Sequence, residues 1–135
     1  AAVLVVDAQK DFASYETQLL EMLRISYFLK IASLVVAINK MDLVNYSKKR
    51  FEEIKASLDQ IITQIGYVQV KVVPISVIEN QNVFAKPTNP NLSWWQGKHL
   101  ADLVTHVGRR PRKNHPFRMV VKKPAKIAGI GTVVV

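Results

Sequence analysis

The sequence predicts an α/β fold, a parallel sheet with flanking helices, that passes near its end into a stretch built from strands alone. Three observations carry this expectation. Three strand-length runs, Ala1–Val6, Ser33–Ile38 and Val70–Ile75, are apolar at successive rather than alternate positions, as strands covered on both faces are. Helical stretches separate them, which is the order a parallel sheet requires. After residue 116 the order changes from strand–helix to strand–strand.

Ala1–Val6 forms the first expected strand. Ser14–Lys30 carries Leu19, Leu20, Met22, Leu23, Ile25, Tyr27 and Phe28, a helix with a broad apolar face. Ser33–Ile38 is the second strand. In Ser47–Ile65 the residues Phe51, Ile54, Leu58, Ile61, Ile62 and Ile65 recur at steps that place them on one helical face. Ser47 can cap this helix at its start and Gly66 can close it. Val70–Ile75 is the third strand, and His99–Val107 a short helix with Gly108 as its C-cap.

Two stretches fall outside this alternation. Ser76–Gly97 is rich in Asn, Pro and Trp and longer than a simple connection, a length usually associated with function or disorder. Its Trp94-Trp95 pair is read as packing the loop against the sheet, in preference to stacking on bases. Arg109–Pro116 reads as a linker, and Phe117–Val121 and Ile130–Val135 as strands of a second domain. The expected division is therefore 1–108, 109–116 and 117–135.

The net charge of +9 is unevenly placed. Residues 1–108 hold 11 Lys/Arg against 10 Asp/Glu, whereas residues 109–135 hold 8 Lys/Arg and no acid. A basic segment of this kind attracts phosphate backbones, so Arg109–Lys126 is a candidate nucleic-acid contact; the alternative is a solvated linker. The chain has no cysteine, which excludes disulfides and thiolate-bound metals. No apolar run reaches membrane-spanning length, and the opening residues have no basic region of a secretory signal, so a cytoplasmic setting is expected. The absence of an initiator methionine, together with a start inside an apolar run, is the pattern of a fragment. His99, His106 and His115 share no metal-ligand spacing with carboxylates.

The chemistry is concentrated after the second strand. Asn39-Lys40-Met41-Asp42 follows Ser33–Ile38 directly, and ligands of parallel sheets bind beyond the carboxyl ends of the strands. Guanine presents N1–H and N2–H2 side by side, and a carboxylate such as Asp42 can accept both in a fork. Adenine has no such donor pair and would leave the carboxylate unpaired, which is costly. Asn39 can use its amide on the base edge, and Lys40 can lay its aliphatic stem over the purine face. A polar strand-to-helix turn with a chance match is the competing reading. The third strand ends at Val73-Pro74-Ile75-Ser76, and the following Val77 keeps a backbone N–H free to donate. The β-branched Val77 side chain is stiff at that point.

In order along the chain, Val3-Leu4-Val5-Val6-Asp7-Ala8, Val36-Ala37-Ile38-Asn39-Lys40-Met41-Asp42, Tyr46-Ser47-Lys48-Lys49-Arg50-Phe51-Glu52-Glu53-Ile54, Ile65-Gly66-Tyr67, Val73-Pro74-Ile75-Ser76, Asn89-Pro90-Asn91, Trp94-Trp95-Gln96-Gly97 and Ile127-Ala128-Gly129-Ile130-Gly131-Thr132-Val133 resemble the elongation factor 1-alpha family of translational GTPases. The resemblance implies the C-terminal half of a P-loop-type GTPase domain followed by the start of a β-barrel, near Pro116-Phe117-Arg118-Met119-Val120-Val121. It implies GTP/GDP and Mg²⁺ as cofactors, and aminoacyl-tRNA and the ribosome as partners. In this family the loop after the third strand contributes the backbone amide to the base, which assigns Ser76 and Val77, beside Asn39, Lys40 and Asp42, to guanine binding.

The departures concern the phosphates. The only Gly-Lys pair, Gly97-Lys98, is followed by His99 and has Leu92 where a P-loop has its first glycine. No aspartate is followed three positions later by glycine. Ligands for Mg²⁺ are therefore not expected within these residues, nor is a catalytic residue, and the chain alone is expected to be inactive. The family's Gly-Asp-Asn is here Asn80-Gln81-Asn82, and Glu16-Thr17-Gln18-Leu19-Leu20 replaces its Gln-Thr-Arg-Glu-His run. The family's histidine that positions the attacking water has no counterpart. Three readings stand: an elongation factor 1-alpha copy; another superfamily member, such as a release or rescue factor or the GTPase subunit of sulfate adenylyltransferase; and a non-catalytic interaction module that kept the fold.

Overall fold

A computed structural model describes residues 2–31, 33–67, 69–106, 124–127 and 131–134. Strands β1 (Ala2–Asp7), β2 (Ser33–Asn39) and β3 (Gln69–Pro74) form a parallel sheet in the order β1-β2-β3. Asp7 pairs with Asn39 and Ile38 with Pro74. The three strands therefore end together, and the loops that follow them share one edge.

Helices α1 (Glu16–Phe28) and α2 (Lys48–Ile65) complete the crossovers, and α3 (Leu100–His106) follows the long loop. β2 is buried from Leu34 to Ile38 on both faces. Leu34, Val36 and Ile38 join the core formed with α1 and α2, which includes Leu19, Leu23, Phe51, Ile54, Leu58, Ile61 and Ile62. Val35 and Ala37 face the other way and pack with Val73, Ile75, Leu100 and Leu103. This two-sided cover explains why the central run has no alternation.

The caps of α2 form as expected. The Ser47 hydroxyl accepts from the Arg50 amide at 3.3 Å, and Gly66 takes the left-handed conformation at φ +92, where glycine has no Cβ penalty. α1 differs from its expectation. It begins only after a 3-10 turn at Phe12–Ser14, and it buries Leu19 and Leu23 alone. Ile25 and Phe28 are exposed, so its broad apolar face is only partly covered. In the long loop, Trp94 and Trp95 lie against Phe51 with ring centroids 5.3 and 5.7 Å away, and Pro90–Leu92 forms a 3-10 turn. The packing reading of the tryptophans describes this arrangement.

Beyond α3, β4 (Pro124–Ile127) pairs antiparallel with β5 (Gly131–Val134). β5 falls within the expected Ile130–Val135. β4 was not expected; the short Pro-Ala-Lys-Ile has little strand pattern to read. The expected linker 109–116, strand Phe117–Val121 and cap Gly108 lie outside the described residues. No helix among the described residues is long and apolar enough to cross a membrane.

Candidate functional site

The carboxyl edge of the sheet gathers three loops. The first follows β1 at Asp7. The second begins at Asn39, turns through Lys40 in the left-handed region (φ 62), and continues as a 3-10 turn at Met41–Val44. The third runs from Ile75 through Asn82. Backbone bonds knit them: Ala8 N–H donates to Asn39 O at 2.9 Å, Ile75 N–H to Ile38 O at 2.8 Å, and Met41 N–H to Ile75 O at 3.2 Å.

Side chains on this edge are tied as closely. Ser76 is fully buried, and its hydroxyl donates to Asp42 Oδ1 at 2.6 Å. The second Asp42 oxygen has no hydrogen-bond partner among the described residues. A carboxylate retains several lone-pair sites when one oxygen accepts once, so Asp42 is oriented and still open. The Val77 N–H donates to Asn39 Oδ1 at 3.2 Å. That bond turns the Asn39 amide so that its NH₂ faces away from Val77. Val77 is 57% exposed, and Leu43 and Ile78 are exposed apolar neighbours in the same two loops.

Lys40 Nζ lies 2.7 Å from Asp7 Oδ2. Burial pushes the Asp7 carboxyl up. The hydrogen bonds from Lys40 and from the Gln9 N–H, with the charges of Lys40 and Lys10, more than offset this and leave it below its ordinary value. Asp7 was not among the residues singled out from the sequence. Its signal was its place as the last residue of a strand in register with Asn39.

Tyr46 and Glu79 were also missed. The Tyr46 hydroxyl donates to Glu79 Oε2 at 2.5 Å, and its carbonyl accepts from Trp94 Nε1 at 2.9 Å. Burial, the Glu79 bond and the charges of Glu79 and Asp42 together push the Tyr46 hydroxyl up to about 12. No local sequence pattern announces a contact across 33 residues. Arg50 reaches back to the Ala8 and Lys10 carbonyls at 3.0 and 2.8 Å, fixing the loop after β1.

Asn80 and Asn82, in the positions of the Gly-Asp-Asn stretch, sit at φ 50 and 59. Asparagine enters this region more readily than most residues, which is how the loop keeps its course without glycine. Asn82 is buried and donates to Pro74 O at 2.7 Å, while its Oδ1 has no partner among the described residues. His99 pairs with Asp102 at 3.4 Å, and His106 Nδ1 lies 2.8 Å from Asp102 O. Among the described residues, no group of three or more His, Cys, Asp or Glu could hold a metal ion.

Residues 1–110 match the family model of the elongation factor Tu GTP binding domain. Elongation factor 1-alpha of Pyrococcus furiosus is 38% identical over 135 residues, covering 98% of this chain and 30% of the relative. That of Pyrobaculum calidifontis is 42% identical over 110 residues, covering 79% of this chain and 24% of the relative. The chain thus spans about a quarter to a third of the length of these relatives. The crystal structure of sup35 complexed with GDP superposes with a TM-score of 0.74 at 29% identity, covering 98% of this chain and 35% of that one. The GTPase-like domain of S. cerevisiae Ski7, bound to GTP, shares the fold at a TM-score of 0.61 and 24% identity, covering 76% of this chain and 25% of that one. The chain belongs to the elongation factor Tu GTP-binding domain family.

Proposed function

We propose that this chain supplies the base-reading part of a guanine-nucleotide site in a translational GTPase. In this reading Asp42 accepts guanine N1–H and N2–H2, and the Asn39 NH₂ donates to the base edge. The Lys40 stem covers the purine face, with its ammonium held on Asp7. The Val77 N–H reaches O6 by giving up its long 3.2 Å bond to Asn39, near the weak end of the normal range. The observation that carries the reading is the 2.6 Å bond from Ser76 to Asp42. It holds one carboxylate oxygen from behind and leaves the other open.

Within that function, residues 1–108 serve as part of the GTP-binding domain, 109–116 as a basic linker, and 117–135 as the opening of a β-barrel. Delivery of aminoacyl-tRNA to the ribosome is the activity proposed for the whole protein, with Arg109–Lys126 as an RNA-facing stretch. Mg²⁺ does not fit the residues present. The 135 residues hold neither a P-loop nor an Asp-x-x-Gly, and the described carboxylates and histidines form no metal cluster. No hydrolytic step is assigned to them. That same donor set favours a second reading, a non-catalytic module that keeps the fold.

Titration of the isotopically labelled chain with guanosine and adenosine tests the base-reading role. Guanosine should shift the Asn39 and Val77 amide signals and adenosine should not. Calorimetry with GDP should give weak binding or none, because phosphate contacts at a glycine-rich loop are absent. Equal response to the two nucleosides defeats the guanine reading, and sub-micromolar GDP binding defeats the assignment of only the base half.

A further inference from the structure

Two loops must keep a fixed spacing for Asp42 and Val77 to meet one base. Three contacts join them near the base edge: Ser76 to Asp42, Val77 to Asn39, and Met41 to Ile75. A fourth lies behind them. Tyr46, 4% exposed, follows the Asn39–Asp42 turn and donates to the Glu79 carboxylate on the other loop at 2.5 Å.

The backbone at Tyr46 is unusual. Asn45 and Tyr46 are both left-handed, at φ 50 and 53. Such strain in a large side chain persists only where the surroundings over-determine it. Here the Tyr46 N–H donates to Met41 O at 2.8 Å, and the Tyr46 carbonyl accepts from Trp94 at 2.9 Å. Both bonds fix the ring's origin, so the hydroxyl has a defined reach.

Glu79 is not an end point. Its N–H donates to Ser76 Oγ at 3.3 Å, and that same hydroxyl donates to Asp42. The chain of contacts runs Trp94, Tyr46, Glu79, Ser76, Asp42. A charge-assisted bond from a neutral phenol to a carboxylate is among the stronger hydrogen bonds. It sits where it can set the orientation of the Ser76 hydroxyl.

We propose that Tyr46 and Glu79 are positioning residues that latch the two base-reading loops together and thereby aim the Asp42 carboxylate. The inference rests on the guanine-reading role proposed above. Neither residue touches the base; both act through Ser76. Long side chains at these two places are required because the link crosses between loops, and a glutamine at position 79 would keep an acceptor for the phenol.

Amide exchange in the ligand-free full chain tests the latch directly. Tyr46→Phe and Glu79→Ala should each speed exchange at Met41 and Val77 by about tenfold, the effect of losing one charge-assisted bond. Glu79→Gln keeps an acceptor for the phenol but loses the charge, and should fall between the parent and Glu79→Ala; the α2 amides should be unchanged in all three. Unaltered exchange at Met41 and Val77 in Glu79→Ala overturns the proposal, as does equal acceleration throughout α2. If Tyr46→Phe does not fold, the two Glu79 variants decide alone. A second arm compares guanosine with inosine, which lacks the exocyclic amine. The guanosine preference should fall in Tyr46→Phe and Glu79→Ala and fall less in Glu79→Gln; an unchanged preference in Glu79→Ala overturns the aiming of Asp42. Failure of the parent chain to bind guanosine defeats the base-reading proposal, while the exchange result still decides the latch.

Discussion

Asp7 Oδ2 lies 2.7 Å from Lys40 Nζ, joining the last residue of β1 to the loop after β2. Because Asp7 and Asn39 are register partners, the ion pair spans adjacent strand ends and holds a lysine whose backbone is left-handed. The Asp7 pKa lies below its ordinary value: burial raises it, and the Lys40 and Gln9 hydrogen bonds and nearby lysine charges more than offset that rise. A carboxyl depressed in the folded state adds stability above its unfolded pKa of about 3.9 and loses it as pH falls through the lower folded value. Lys40 is 44% exposed at its side chain, so solvent screening keeps the pair to about 0.2–1 kcal/mol. Asp7→Asn should lower the unfolding free energy from urea titration at pH 7 by that amount and come level with the parent at the acid end. A difference that persists unchanged at low pH refutes the ionic origin.

Asn80 gives a test of backbone rather than charge. At φ 50, an alanine Cβ meets the following carbonyl, at a cost of roughly 1–2 kcal/mol. Asn80→Ala should therefore lower stability by about 1 kcal/mol. Asn80→Gly removes the Cβ but adds freedom to the unfolded chain, worth about 0.4–1 kcal/mol, and should come out close to neutral. Thermal melting of both variants decides it. Alanine tolerated as well as glycine excludes the left-handed constraint.

What the sequence made legible follows its periodicity. α2 repeats apolar residues at helical steps and carries Ser47 and Gly66 at its ends, so its caps were readable before its fold. β2 was readable because five successive buried residues, Leu34 to Ile38, leave no alternation to misread. α1 was harder, since its apolar residues run almost around the helix while the core takes only Leu19 and Leu23. Composition records hydrophobicity, not the partner that covers it. The site divides the same way. Asn39, Lys40 and Asp42 are contiguous and announce themselves. Asp7, Tyr46 and Glu79 meet them only through tertiary contacts, and their sequence separation hides them.

The basic end of the chain makes a salt-dependent prediction. Residues 109–135 carry eight cations and no acid, while the rest is nearly balanced. Binding to a short single-stranded RNA should weaken as salt rises, with a log–log slope of about −0.7 for each phosphate neutralised. Removing residues 109–135 should abolish retention in a filter-binding assay at low salt. Retention by the shortened chain relocates the contact to the α/β part and defeats the role proposed for Arg109–Lys126.

Asp42 carries the sharpest chemical prediction. Its carboxylate accepts from Ser76 at one oxygen, and the other is proposed to complete a fork with the two guanine donors. An asparagine keeps the shape but puts a donor NH₂ where one of those acceptors stood. Xanthine carries a carbonyl acceptor at the position of the guanine amine, so it matches the amide as guanine matches the carboxylate. Losing a hydrogen bond in a site built for it costs orders of magnitude in discrimination, though a solvent-open loop will give the smaller end of that range. Asp42→Asn should therefore weaken guanosine at least about tenfold and bring xanthosine binding above it. The readout is the displacement of the Asn39 and Val77 amide signals on titration with each nucleoside. An Asp42→Asn chain that still prefers guanosine removes Asp42 from base recognition, whatever the family of the fold.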